Sequence, residues 1–439
     1  MITCLVLLGA TGDLAGRFLF PALAQLMAAG RMPLDLQVVG GGQQEWSDQQ
    51  FRDHVGSRLR EHAGELPEDV SDALLAGLRY RQIDLDEPDS VLGAVHAGSE
   101  PSDPVVVYLA LPARVFPGVL RALSGTDLPE GSRVAVEKPF GDDVDGAIAL
   151  NVLLERLATS EFRVDHILGM PSVRELVRLR SAGGALEPVW SAAHIERVEI
   201  LWEETLGLKA RASFYDTTGA VRDVMQNHLL QVMVLAAMEL PDGATEEGLH
   251  DAKLDLLRRV REPSAAQMSS RTARARYTSG SLAAGGDPVP DYTEADGVEA
   301  GRGTETHAEV ILEVDSPRWA GVPFVLRTGK AMGASRKGVA VHLRADVPAT
   351  MPAEVVVASP RQVWIELDGP GSGINAPGEL SAYQEVLTDL LTGRSRTSVS
   401  AQEAVEAWRI FEPVLDAWTA GAVPLTEYAA GSSGPETLG

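Results

Sequence analysis

The first thirty residues limit most sharply what this chain can fold into. "ITCLVLL" at residues 2–8 is followed by "GATGDLAGR" and then by "FLFPALAQLMAAG". A short run that is apolar on both faces suits a strand covered on both sides, the condition of a central parallel sheet. The next segment has its apolar residues at helical spacing and stops at a glycine. Between them, Gly9, Gly12 and Gly16 stand in a G-x-x-G-x-x-x-G spacing at a strand-to-helix turn. Glycines there let backbone come close to a pyrophosphate, and the helix N-terminus supplies N–H donors. Gly9, Ala10, Thr11, Gly12, Asp13 and Leu14 are therefore candidate dinucleotide contacts; the alternative is a plain tight turn.

Further strands are expected at "LQVVGGG" (36–42), "VVVYLALP" (105–112) and "RVAVEKPFG" (133–141), with helical stretches between them. That alternation predicts an α/β Rossmann domain, a doubly wound parallel sheet, over residues 1–165. From about residue 165 the pattern changes. "HIERVEILWEE", "HAEVILEVD", "VAVHLRADV" and "RQVWIELDG" alternate with period two, which predicts a large α+β domain with an antiparallel sheet over 166–439. Residues 262–304 read as extended surface loop, and "EYAAGSSGPETLG" as a polar, loosely ordered tail. Two domains also follow from a length of 439 residues.

A net charge of −24 argues against nucleic-acid or anionic-membrane partners, so any anionic substrate must be held by local basic groups. The single cysteine, Cys4, fits a reducing, cytoplasmic setting, and neither a signal peptide nor a membrane span is expected. The histidines lack metal-ligand spacing. The end of the second strand, "VVGGGQQEW", offers no charge directly: Gln43 and Gln44 can bond a ribose hydroxyl but cannot pair a 2′-phosphate, although Arg17 or Arg52 could approach. NAD is therefore favoured over NADP. Lys138 in "EKPFG" is either a surface cation or a ligand anchor. Asp165 and His166 are adjacent in "FRVDHILGM", so in extended chain they face opposite ways. In "VRDVMQNHLLQVMVLAAMEL", Asp223, Asn227 and His228 open a helix apolar enough to be buried. A capping or core histidine is the plain reading.

Together "GATGDLAGR", "YLALP", "EKPFG", "DHILG", "FYDTTGAVRDVMQNHLLQ", "GVPFVLRTGKA" and "EAWRIFEPVL" resemble, in the same order, the glucose-6-phosphate dehydrogenases, over residue 5 to about 436. The resemblance implies oxidation of C1 of a hexose 6-phosphate to a lactone with hydride transfer to NADP or NAD, in a homodimer or homotetramer. It assigns His228 as the base that removes the C1 hydroxyl proton, and Asp165 as the carboxylate that orients it and stabilises the imidazolium. It makes Lys138, His166, Glu204, Asp223 and Lys330 substrate ligands, with Arg336 a further candidate. It adds Gln43, Ala110 and Lys138 to the cofactor contacts.

The departures from the family pattern concern both ligands. Relatives read "DHYLGK" where this chain reads "DHILGM", so Ile167 and Met170 replace a tyrosine and a lysine that help hold the 6-phosphate. Two lost charge-assisted bonds at roughly 1.5–3 kcal/mol each would weaken binding about 10²–10⁴-fold if nothing compensated. Gly16 replaces a lysine and Gln43 an arginine near the cofactor, and "VWIELDG" replaces the usual "IRIQP" strand. A paralogue that oxidises a different or unphosphorylated sugar with NAD is the main alternative. A dinucleotide-binding pseudoenzyme is the lesser one.

Overall fold

The computed structural model describes residues 2–98, 102–181, 183–184, 186–208, 212–241, 245–282, 288–344, 356–359, 362–368 and 380–438. The chain divides into two compact units, Met1–Met170 with Pro377–Ala404, and Pro171–Ala376 with Val405–Gly439.

The first unit is built on β1 (Cys4–Leu8), β2 (Gln37–Gly42), β3 (Leu78–Gln82), β4 (Val105–Leu109), β5 (Arg133–Glu137) and β6 (Ser160–Val164). They lie in the order β3-β2-β1-β4-β5-β6, all parallel, with Ser398–Val399 added antiparallel beyond β6. Strand order reverses between β1 and β4, which opens the ligand crevice of a doubly wound sheet beyond their carboxyl ends. Both strands are buried along their whole length, as their unbroken apolar sequence requires. Local signals set the helix starts. Ser47 and Gln50 form a reciprocal cap for Asp48–His62, and the Asp143 side chain caps Val144–Glu155.

The division expected at residue 165/166 differs from that of the structure in two ways. The first unit continues to Met170, and it takes back Pro377–Ala404. Helix Ala382–Thr392 lays Val386, Leu387 and Leu390 into the core of the first unit, and its Gln384 bonds Gln25 at 3.0 Å. A return after more than two hundred residues leaves no periodic trace, because each segment reads as an ordinary amphipathic helix.

The second unit carries a nine-stranded sheet. Its strands are β7 (Ile195–Glu203), β8 (Thr272–Thr278), β9 (His307–Val314), β10 (Phe324–Gly329), β11 (Arg336–Leu343), β12 (Val356–Ser359), β13 (Gln362–Glu366) and β14 (Leu425–Ala429), with Val260–Arg261 paired to β9. The order is β12-β13-β11-β7-β10-β9-β8-β14. Most joins are antiparallel, as the alternation predicts, but β7–β10 and β8–β14 are parallel. Two loop expectations change. β8 lies within the stretch read as surface loop, and β14 runs into the polar tail, taking in Glu427–Ala429. Arg274 and Arg276 in β8, and Thr426 and Glu427 in β14, dilute the apolar pattern by which a strand is recognised.

Residues 221–237 form one buried helix whose first nine residues, Val221–Leu229, are π-wound. Its carboxyl end is buried, so its last carbonyls need donors. Trp190 Nε1 donates to Ala236 O at 2.6 Å, Trp319 Nε1 to Ala237 O at 2.7 Å, and Arg180 to Leu235 O and Met238 O. Burial pulls Arg180 down to about 9, so it remains cationic at neutral pH where a helix C-terminus favours positive charge. Among the described residues no helix is long and apolar enough to cross a membrane. Arg180→Leu should lower stability by about 2–4 kcal/mol, since it leaves two buried carbonyls unpaired. Urea unfolding followed by tryptophan fluorescence would show this, and an unchanged midpoint would contradict it.

Candidate active site

The glycine turn of the first unit is held from both neighbouring strands. Gly9 N and Ala10 N both donate to Gly41 O, at 2.8 and 3.0 Å, and Ala110 N donates to Leu8 O at 2.8 Å. Gly9 has φ +90°, and a Cβ on it would lie 2.2 Å from Ala110 O. Only glycine fits there, so backbone from β1 and β4 meets with no side chain between. Gly12 N bonds Gly9 O at 3.0 Å and opens the helix. Such a cradle fits a dinucleotide pyrophosphate. At Gly16, where the family carries lysine, an added Cβ would meet the Arg58 stem at 3.0 Å.

Gln43 follows β2 directly and is exposed, and Gln82 donates to its backbone carbonyl at 3.2 Å. Gln44 accepts from Thr11 Oγ1 at 2.8 Å. Of the two arginines considered for this edge, Arg17 pairs with Asp13 at 3.2 Å, while Arg52 donates to Leu78 O at the opposite, amino end of β3.

Around Lys138 the sequence reading missed a buried carboxyl, Glu137. It accepts from Tyr108 Oη at 2.5 Å and, more weakly, from Tyr383 Oη at 3.5 Å. The Tyr383 ring stacks on His166, with centroids 5.3 Å apart and 17° between the planes, and touches Phe18 on its flank. Burial lifts Glu137 to about 7; the hydrogen bond from Tyr108 and the charge of Lys138 work against the rise, and Asp165 adds to it. Asp165 is fully buried, and its Oδ1 accepts from Ile167 N at 3.2 Å. Ile167 is also fully buried, while Met170 is half-buried. "EKP" does suggest Glu137, because a residue next to a strand-end lysine faces the opposite side. Tyr383 gives no such cue, since it belongs to the returning segment.

In the second unit, Glu204, Asp223 and Lys330 come together. The Lys330 ammonium bonds Glu204 Oε2 and lies 3.4 Å from Asp223 Oδ2 and 5.7 Å from the centre of the Tyr215 ring. The two carboxylates raise Lys330 despite burial, which acts to lower it. β11 alternation separates the next two cations. Arg336, 45% exposed, turns to Glu203 at 3.6 Å, whereas Lys337 reaches Glu204 at 3.7 Å and Asp368 at 2.7 Å over the Trp202 ring. Lys337, not singled out from sequence, is therefore the second cation of this cluster. Asp223 stands in the first turn of the π-wound segment and His228 in its last. Asn227 holds that segment by donating from Nδ2 to Arg222 O at 2.8 Å and accepting His228 N–H at 2.7 Å. The π winding places donors and acceptors off the i→i−4 ladder, a geometry frequent at functional sites.

Glu137 makes a pH prediction. Between 4.5 and about 7 the folded protein keeps a proton that the unfolded chain has released, so its contribution to stability falls as pH rises through that window. Glu137→Gln should remove this slope, a difference of order 3 kcal/mol by pH 8. Thermal melts of wild type and variant from pH 4.5 to 8 test it, and parallel curves would refute it.

The model of the glucose-6-phosphate dehydrogenase NAD binding domain matches residues 6–175, and that of its C-terminal domain matches 177–375 and 372–439. The chain is 34% identical to glucose-6-phosphate 1-dehydrogenase of Mycolicibacterium smegmatis, over 98% of this chain and 94% of that protein. It is 33% identical to glucose-6-phosphate 1-dehydrogenase 2 of Mycobacterium bovis, over 99% and 91%. Among solved structures, glucose-6-phosphate 1-dehydrogenase from Mycobacterium avium superposes with a TM-score of 0.80 at 30% identity, covering 100% of this chain and 96% of that one. A glucose-6-phosphate dehydrogenase in complex with its substrate glucose 6-phosphate gives 0.84 at 25% identity, with the same coverage. With both domains matched along almost their whole length, the chain belongs to the glucose-6-phosphate dehydrogenase family.

Proposed function

We propose that the protein oxidises C1 of glucose 6-phosphate to the 1,5-lactone, with NAD as its preferred hydride acceptor. The reading is carried by the Lys330 cluster: two carboxylates and an ammonium, partly buried and mutually bonded, offer acceptors and donors suited to sugar hydroxyls. Relatives at 33–34% identity along nearly the whole chain carry this activity in their names.

In this reading Glu204, Asp223 and Lys330 bind the sugar, and His166, Lys138 and Lys337 supply positive charge toward its phosphate, while Arg336, turned to Glu203, does not. His228 takes the C1 hydroxyl proton, because the alcohol must lose it as the hydride leaves and the C=O bond of the lactone forms. Asp165 stabilises the resulting imidazolium. The nicotinamide, when bound, accepts the hydride. Residues 9–14, with Gln43, Ala110 and Lys138, hold the cofactor. Asn227 fixes the backbone that carries His228.

NAD is favoured because the end of β2 presents neutral Gln43, Arg52 is engaged elsewhere, and Arg17 is paired with Asp13. Ile167 and Met170 leave the phosphate with fewer donors than its relatives have, and this favours a second reading in which an unphosphorylated sugar is used. The protein acts in the cytoplasm on this account, consistent with a single cysteine, Cys4, whose thiol burial pushes up to about 11. It assembles as a homodimer or homotetramer, following the family.

Steady-state rates with glucose 6-phosphate and glucose, each with NAD and NADP, test the proposal. The highest kcat/KM is expected for glucose 6-phosphate with NAD. A preference for glucose selects the second reading, and no turnover in any pair rejects both. His228→Asn should lower kcat about 10²–10⁴-fold with little change in sugar affinity. Turnover near that of wild type would remove His228 from its role.

A further inference from the structure

The second unit holds a cavity of about 400 Å³ whose lining shares no residue with the sugar cluster. That volume suits a small metabolite. Arginines from three separate elements converge on it: Arg222 from the start of the buried helix, Arg274 from β8, and Arg302 from the turn that precedes β9. In a chain of net charge −24, three guanidinium groups on one cavity stand out against the overall field.

Their pairing is uneven. Arg302 is neutralised by Asp216, whose carboxylate its Nε meets at 3.1 Å. Among the described residues, no carboxylate lies within ion-pair distance of Arg222 or Arg274. Arg274 spends one donor on Val423 O at 3.1 Å and stacks its guanidinium over Trp418, 5.8 Å from the ring centre. Trp418, 2% exposed, gives the cavity an apolar wall. Glu305 is the remaining acid. It is buried and accepts Val221 N–H at 3.2 Å; burial raises its pKa, and the charges of Arg222 and Arg274 work against that rise from beyond ion-pair distance. The cavity therefore has two guanidinium groups to offer, one of them backed by a buried ring.

We infer that this cavity binds a small oxyanion, a carboxylate or a phosphate monoester, and that its occupancy alters the sugar site. The oxyanion pairs with Arg222 and with Arg274, whose guanidinium is backed by Trp418. The link to the sugar site is short. Arg222 precedes Asp223, and Glu305 holds the backbone N–H of Val221, so both shape the first turn of the segment that also carries His228. Gly219 makes that turn unforgiving: it has φ +71°, and an added Cβ would lie 2.5 Å from Glu305 Oε1. An anion that draws Arg222 or displaces Glu305 shifts Asp223 with it. This second step rests on the proposed role of Asp223, whereas the binding itself does not.

The test titrates the full chain with phenyl phosphate and with benzoate by calorimetry, in the presence of saturating glucose 6-phosphate so that the sugar site is closed to both. One probe per chain should bind, and the stronger of the two identifies the oxyanion class. Arg274→Gln should weaken binding about tenfold or more. Thr419→Phe, which fills the cavity from an exposed helix position, should abolish it. Both variants should keep their thermal midpoint near that of wild type and their turnover without probe. Absence of heat with both probes, or equal binding by wild type and Thr419→Phe, overturns the site. If the site binds, the KM for glucose 6-phosphate should change about fivefold or more at saturating probe in wild type and not in Thr419→Phe. An unchanged KM overturns the coupling while leaving the binding intact.

Discussion

The Lys330 ammonium, 13% exposed between Glu204 and Asp223, is the interaction on which the proposed sugar site depends. Three elements meet there: the end of β7, the end of β10, and the first turn of the π-wound segment. The cation would be costly to bury without the two carboxylates, whose charges and hydrogen bonds raise its pKa against burial. A polar cluster already paid for in desolvation can exchange an internal bond for one to a hydroxyl with little rearrangement, which is the property a sugar site needs. Lys337 extends the cluster to Asp368 and so ties β11 to the chain just beyond β13.

The first unit solves a different problem, bringing backbone close to a ligand. Gly9 allows this by leaving no side chain between the turn and Ala110, and the double donation to Gly41 O fixes the turn to β2. Behind the edge, Glu137, Tyr108, Tyr383 and His166 form a chain of contacts. Stacking on Tyr383 restricts the His166 ring, and Tyr383 is in turn held from the helix that follows the glycine turn by Phe18. The helix of the returning segment, Ala382–Thr392, thus does more than fill space, since it sets the orientation of a ring next to Asp165.

Much of this was legible in the sequence. The strand–glycine–helix opening, the parallel strands and the buried helix that carries His228 follow from periodicity and from the placement of glycine. Glu204, Asp223 and Lys330 were identified through the family's motifs, and they do cluster. What stayed hidden has physical reasons. β8 and β14 are rich in polar residues, so their alternation does not rise above that of a loop. Tyr383 acts across a separation of 246 residues, which no local pattern encodes. Arg336 and Lys337 differ only by strand parity, and a one-residue choice of face decided which of them meets Glu204.

Binding of deoxy analogues measures the central claim most directly, because the account holds that the Glu204–Lys330–Asp223 cluster recognises sugar hydroxyls. Calorimetric affinities of glucose 6-phosphate and of its 2-deoxy, 3-deoxy and 4-deoxy forms should be compared in wild type and in Glu204→Gln. At least one deoxy form should bind about 10–10²-fold more weakly to wild type, and that penalty should shrink in the variant. Equal affinities for all four ligands, or a penalty that Glu204→Gln leaves unchanged, would contradict the account.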